Sequence, residues 1–341
     1  MPSRSSARLS DVAHAAGVSL STASKALRGG GRISAATRER VRAAADRLDF
    51  RPDALARSFA EGRSGTIGVL TRRAANTFAR PVTIGAVLQL GDQHQAALVY
   101  DGDVRTSSAM TDSIRELQAR RIDGLLVIGD GHEHESPSLT HHFDVPVTYV
   151  FTASDDPADV MWLPDNRRAG ELAARHLVER GARRVVHVTG PADSIAVQRR
   201  EEGMRTALAV AAAGTSAGAS LVEPVRRGDW SRAWGAAAAR DLLDAGTGFD
   251  AVFCGNDHIA FGMLGVLAAA GVRVPDDVQV VGVDNWEGVA MEDLERRREL
   301  TSVDLGLMQL GRLGAGDLVD PERSAGEHEA PAWLVQGAST R

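Results

Sequence analysis

The sequence predicts a small all-α head followed by a larger α/β body of two similar lobes with parallel sheets. Three observations carry this. Before residue 50 the apolar positions recur at helical spacing in three short stretches. Beyond Gly65, apolar runs of strand length alternate with helical stretches, which specifies parallel sheets covered on both faces. The charge divides at the same place: residues 1 to 65 hold 12 Lys+Arg against 6 Asp+Glu, within a chain whose net charge is −6.

In the head, Ser10 is read as the cap of a first helix, DVAHAAG, with Val12, Ala13 and Ala16 on one face and Gly17 as its stop. A second helix, about 21 to 27, follows across Gly17-Val18-Ser19. Two short helices joined so closely make a helix-turn-helix. Ser34 with Thr37-Arg38-Glu39 opens a third helix to about Leu48, whose Val41, Ala44, Ala45 and Leu48 face the first two. A basic head on an acidic body suits contact with a polyanion through the head alone.

After Pro52, DALARSFAEG is helix-compatible but only about ten residues long, too short to stand alone in water. The body's strand candidates are TIGVL, AALVY, DGLLVIG, VPVTYVF, RRVVHVTG, AVFCGN and VQVVGVDN, with helical stretches such as AGELAARHLVERG and HIAFGMLGVLAAAG between them. They fall into two groups broken near 163 to 165. Ligands of such folds sit beyond the carboxyl ends of strands, here the cleft between two lobes.

Composition narrows the function. The 341 residues, 43% hydrophobic and 25% charged, can fill two or three cores and exclude general disorder. No apolar run approaches the ~18 residues of a membrane helix, and MPSRSSARLSDVAHAAG has no apolar export segment. A cytoplasmic protein with no membrane partner is expected. A single cysteine, Cys254, excludes an internal disulfide and multi-cysteine metal sites. The single lysine, Lys25, stands in no GxxxxGK[ST] loop, and no GxGxxG follows TIGVL. No cofactor or metal is expected.

Two motifs resemble chemistry. GTSAG at 214–218 fits a nucleophile elbow around Ser216, but the reading runs from helix to strand, the reverse of what that motif needs. His132, His134, His141 and His142 with Glu133 and Glu135 fit no helical metal motif. Neither supports an enzyme.

The order of residues in LSDVAHAAGVSLSTASKALRGGGRISAATRERVRAAADRLDFRPDALARSFAEGRSGTIGVL resembles the head, hinge and first core strand of the LacI/GalR-type transcription regulators. The resemblance continues through LPDNRRAGELAARHLVERGARRVVHVTGP, RREEGMRTALA, GDW and FCGNDHIAFGMLGVLAAAGVRVPDDVQVVGVDN, and is weakest at 71 to 95. It implies a helix-turn-helix domain (1–50), a hinge (51–64) and two Rossmann-like subdomains of the periplasmic-binding-protein type (65–162 with 301–320, and 163–300 with 321–341), the chain crossing near 163, 300 and 320.

By the same resemblance, Leu20, Ser21 and Lys25 reach base edges of a pseudo-palindromic double-stranded operator DNA. Ser19, Thr22, Ser24, Arg32, Ser34 and Thr37 hold its backbone, and Phe59 wedges into the minor groove. Arg200, Trp230, Asn256, Asp257 and Asp284 match effector-binding positions, with Phe78, Trp286 and Arg72 as further walls. Arg, Asn and Asp pair with vicinal hydroxyls, and an aromatic face covers a sugar ring. The expectation is a homodimeric repressor whose operator affinity follows a small molecule, a carbohydrate. The alternatives are an anionic effector met by Arg72 and Arg73, and an architectural DNA-binding protein with no effector.

Overall fold

The computed structural model describes residues 7–27, 32–50, 63–71, 76–101, 107–131, 135–214, 218–286 and 298–341. The chain forms two compact units, Met1–Ser64 and Gly65–Arg341. Phe59, Arg72, Arg73, Ser216, His132, Glu133 and His134 lie outside the described residues.

Among the described residues three helices build the first unit: α1 (Leu9–Ala16), α2 (Leu20–Leu27) and α3 (Ala35–Arg47). Val12, Ala13, Ala16, Ala23, Ala26, Val41, Ala44 and Ala45 are its buried core, small side chains that let short helices approach closely. Gly17 ends α1 at φ 64°, ψ 41°, a left-handed conformation that glycine adopts without steric cost. Ser34 caps α3, accepting from the Thr37 amide at 3.2 Å. Ser10 does not cap α1. The helix starts two residues earlier than the sequence suggests, because the Asp11 carboxylate accepts the Arg8 amide at 2.8 Å and closes the first turn from inside.

Among the described residues the second unit contains two six-stranded sheets. The first has the order β13-β7-β5-β3-β1-β2: Gly326–Ala330, Val160–Pro164, Val147–Val150, Gly124–Ile128, Thr66–Thr71 and Ala96–Asp101, all parallel. The second has the order β14-β12-β11-β10-β8-β9: Trp333–Val335, Thr301–Asp304, Gln279–Val283, Ala251–Cys254, Arg184–Thr189 and Ser220–Arg227, parallel except for β14. Strands β4 (Glu135–Ser136) and β6 (Ala153–Ser154) form a separate short pair.

The strand orders correct two boundaries read from the sequence. Residues 301–304 belong to the second sheet, so the chain crosses at 305–306 rather than near 300. Residues 326–330 pair with Val160–Pro164 of the first sheet, so the last crossing falls between Ala330 and Trp333 rather than near 320. Both strands are short and lie at or near sheet edges, where alternation is too brief to reveal a partner.

Helices α4 (Ala79–Asp92), α5 (Ser107–Ala119) and α10 (Leu307–Leu318) flank the first sheet; α6 (Asn166–Glu179), α7 (Ile195–Gly214), α8 (Arg232–Asp244) and α9 (Asp257–Ala269) flank the second. The pairs α4/α10, α6/α7 and α8/α9 each meet at two reciprocal glycines. A Cβ on Gly170 would stand 1.9 Å from the Arg200 carbonyl oxygen, and one on Gly203 1.9 Å from that of Arg167. Gly85 with Gly311 and Gly235 with Gly262 repeat this arrangement. Helices in such contact hold the loops at their ends in fixed places.

Candidate functional site

In α2, Ala23 and Ala26 face the core, whereas Leu20, Ser21 and Lys25 are exposed. The i, i+1, i+5 spacing gathers these three on one outer face, and Leu20, 54% exposed, has no structural reason to be there. Ser19 precedes the helix: its hydroxyl accepts from the Thr22 amide at 3.1 Å and lies 2.8 Å from the Thr22 hydroxyl. Ser34 and Thr37 repeat this at α3, hydroxyls 2.9 Å apart. Arg32 is exposed beside that helix start, and Ser24 is half-buried on α2.

In the body, a cavity of about 420 Å³ opens between the lobes at the carboxyl ends of the strands. Its size falls within the ~300–1,000 Å³ of small-molecule sites. Of the residues singled out in the sequence, Phe78, Arg200, Trp230, Asn256 and Asp284 line it. Trp286 stands beside it, its ring 5.8 Å from Phe78 and 4.5 Å from His258. A larger groove of about 940 Å³ runs over α4 and α10, but it lies along helix flanks and lacks the convergence of strand ends that assembles polar groups from both sheets.

Arg200, on α7, is buried at the centre of the wall. Its Nε donates to Asn166 Oδ1 at 2.8 Å, another nitrogen donates to the Gly255 carbonyl, and a third lies 3.9 Å from Asp284 Oδ1. Its guanidinium carbon lies 5.8 Å from the Trp230 ring centre. Trp230 packs flat where Gly190 leaves room, since a Cβ there would be 2.4 Å from the indole. Asn256 caps α9, accepting from the Ile259 amide at 2.8 Å, and its amide donates to the Trp230 carbonyl at 3.2 Å. One Nδ2 hydrogen is left by that pairing.

Asp257 is not a wall residue. It is 1% exposed, accepting from the Ser302 hydroxyl at 2.7 Å through one oxygen and from the Trp286 amide at 2.6 Å through the other. The Asn-Asp pair suits a ligand on paper, but the helical turn that points Asn256 at the cleft directs Asp257 into the lobe. Asp257 positions the loop after β11. In that loop Asp284 has φ 99° and Asn285 φ 49°, left-handed backbone that costs of order 1–3 kcal/mol in a non-glycine residue and persists only where its surroundings enforce it.

The cavity also takes in Asn76, Asp130, Phe151, Asn166, His258 and Leu305, which the sequence reading missed. All but Asn76 and His258 lie within two residues of a strand's carboxyl end, a positional signal available without the structure. Burial and the nearby Arg232 hold His258 below the ordinary histidine range, so it enters the wall uncharged at neutral pH.

The motifs that resembled chemistry lead elsewhere. Helix α7 ends at Gly214 and β9 begins at Ser220, so the GTSAG segment joins helix to strand. The His141 and His142 rings meet at a tilt, centroids 4.0 Å apart and planes 41° apart. Among the described residues no three metal-ligating side chains gather, and no helix is long and apolar enough to cross a membrane.

A helical head presenting Leu20, Ser21 and Lys25 on one outer face, followed by two α/β lobes around a ligand-sized cavity, defines a DNA-binding regulator with a small-molecule-binding domain. Comparison with known proteins agrees over nearly the whole length. Residues 65–330 match the family described as periplasmic binding proteins and sugar binding domain of LacI family, and residues 8–53 match bacterial regulatory proteins, lacI family. The chain belongs to the LacI family of bacterial transcription regulators, and is not an enzyme.

Among its relatives, the HTH-type transcriptional regulator CelR of Thermobifida fusca is 33% identical over 333 residues, 95% of this chain and 94% of CelR. The ribose operon repressor of Escherichia coli (strain K12) is 30% identical over 284 residues, 82% of this chain and 84% of the repressor. The solved structure of a transcriptional regulator CelR-cellobiose complex has a TM-score of 0.62 at 28% identity, covering 98% of this chain and 99% of the other. The lac repressor dimer bound to operator and the anti-inducer ONPF has a TM-score of 0.70 at 23% identity, covering 98% of each chain, a likeness of fold.

Proposed function

We propose that the chain acts in the cytoplasm as a homodimeric repressor whose affinity for a pseudo-palindromic operator is set by a neutral sugar in the cavity between its lobes. One observation carries the choice of ligand: the wall combines the Trp230 face with hydrogen-bonding groups from both lobes, and among the described residues it holds two carboxylates, Asp130 and Asp284, against one guanidinium, Arg200. Arg200 already donates to Asn166 and Gly255. This balance favours hydroxyls over an anion, because a carboxylate or phosphate would meet Asp130 and Asp284 at unfavourable Coulomb cost. The CelR-cellobiose relative makes cellobiose the first probe.

Pairing is supported by exposed apolar side chains on α4 (Ile84, Val87, Leu88) and on the edge strand β2 (Val99). Such a patch on an exposed edge invites a partner, and two-fold symmetry lets two heads span a palindrome. In this reading Leu20, Ser21 and Lys25 read bases, Ser19, Thr22, Ser24, Arg32, Ser34 and Thr37 hold phosphates, and Phe59 is the wedge.

The test begins with selection of a duplex from random DNA by the wild-type protein, followed by titration of that duplex with and without cellobiose, ribose, glucose and gluconate. A change in affinity of about 5- to 150-fold with a neutral sugar is expected, the usual range of coupling between sites. A response to gluconate alone would sink the neutral-sugar reading. On the same duplex Lys25→Ala is expected to weaken binding by ~1–3 kcal/mol and to relax preference at one base pair, whereas Ser34→Ala weakens all sequences alike. Equal losses for Lys25→Ala on selected and random DNA would move Lys25 to the backbone group.

A further inference from the structure

We propose that Asp304 transmits occupancy of the cavity to the crossing between the lobes, through the hydrogen bond it accepts from Asn285. The inference rests on the effector reading above and adds the residue through which the effector acts. Asp284 forms part of the wall, and its neighbour Asn285 is 7% exposed, with its polar groups directed inward. The Asn285 backbone amide donates to the Ser302 hydroxyl at 2.9 Å, its Oδ1 accepts from the Arg298 guanidinium, and its Nδ2 donates to Asp304 Oδ2 at 2.7 Å. The Ser302 and Arg298 contacts tie the turn to the second lobe. The Asp304 contact leads out of it.

Asp304 is the last residue of β12, and its other oxygen, Oδ1, accepts the amide of Gly306 at 2.8 Å. Gly306 has φ 62°, ψ 37° and caps α10, the helix of the first lobe. Asp304 also pairs with Trp333 of β14, just after the third crossing. A Cβ on Gly306 would stand 2.9 Å from the Pro331 carbonyl oxygen and 3.0 Å from the Trp333 ring, so the second and third crossings are packed together at this point. Leu305, between the two ends of the carboxylate bridge, lines the cavity.

One carboxylate thus joins the ligand-facing turn to the backbone that leaves the lobe. Charge-assisted hydrogen bonds are short and directional, and the left-handed Asp284–Asn285 backbone persists only while contacts such as these enforce it. A ligand that shifts Asp284 therefore shifts Asn285, the Asp304 carboxylate and the Gly306 amide together. Asp304 acts as a positioning residue, with no contact to the ligand.

Two measurements on the full chain test this. The first needs no sugar: hydrogen exchange of the amides at 305–307 is expected to be at least about fivefold faster in Asn285→Ala than in wild type, reflecting easier local opening, although Asn285 bonds none of those amides. If Asn285→Ala does not fold, D304N serves instead, since it sets an amide against an amide yet keeps an acceptor for Gly306. The exchanged pair N285D/D304N, in which the amide at 304 donates to the carboxylate at 285, is expected to restore slow exchange. The second measurement is the change in operator affinity caused by cellobiose, expected to shrink at least about fivefold in Asp304→Ala while calorimetric affinity for cellobiose stays within about threefold.

Wild-type exchange rates in Asn285→Ala, or a full cellobiose response in Asp304→Ala, would overturn the relay, as would failure of the exchanged pair to rescue D304N. A wild-type protein indifferent to every sugar, combined with faster exchange at 305–307 in Asn285→Ala, refutes the sugar reading alone and supports the mechanical link.

Discussion

Replacing Gly170 by alanine is expected to destabilise the second lobe by about 3 kcal/mol, near the upper end of what overpacking costs. The melting temperature falls by roughly 10 °C for a domain of this size. On a free helix the same change stabilises by about 0.5–1 kcal/mol, because alanine is the better helix former. The sign reverses here because the new methyl would lie 1.9 Å from the Arg200 carbonyl oxygen, on the backbone of a partner helix that cannot rotate away. Relief requires α6 and α7 to separate, and α7 carries Arg200 into the cavity, so ligand affinity falls with stability. Gly265→Ala is the control: it sits in α9 with nothing among the described residues within 4 Å of its added carbon and is expected to raise the midpoint slightly. Thermal unfolding of both variants checks the pair, and equal shifts would show that helix contact does not decide the outcome.

The second large effect is acid destabilisation through His187. Its ring is fully buried in β8, stacked on Phe253 with centroids 4.6 Å apart and planes 9° apart. Nδ1 donates to the Phe253 carbonyl at 2.9 Å, whereas Nε2 has no partner among the described residues. Burial pushes the folded-state pKa down to about 4 from an ordinary 6.5. As pH falls below 6.5 the unfolded chain takes up the proton before the folded one can. The stability is therefore fully present above 6.5 and declines progressively down to about 4. At 1.36 kcal/mol per pKa unit the loss is about 3 kcal/mol. His187→Asn keeps a donor for the Phe253 carbonyl but does not titrate, so the difference between wild-type and variant unfolding free energies should slope across this window. A flat difference would mean the ring protonates in the folded state without penalty.

Much of the candidate site was legible because it follows local rules. The exposed face of α2 is legible from Ala23 and Ala26 alternating with Leu20, Ser21 and Lys25 along one helix. Arg200, Trp230, Asn256 and Asp284 were reached through resemblance, and the strand-end rule would have added Asp130, Phe151, Asn166 and Leu305 without it. Asp257 was misassigned because adjacent residues share a motif but not a direction: the first turn of α9 places Asn256 in the wall and Asp257 under Gly282 and Ser302.

What the sequence by itself determined was the periodicity of the head helices, the alternation that makes the body two parallel-sheet lobes, and the charge division between head and body. Each depends on residues a few positions apart, whose spacing meets the 3.6- and 2-residue repeats of the backbone. Only the tertiary structure decided the reciprocal glycine contacts, the crossings at 305 and 331, and the Asn285–Asp304–Gly306 bridge. Those partners come together through sheet order and helix crossing, and a hydrogen bond good to a few tenths of an ångström depends on every element that holds its two ends.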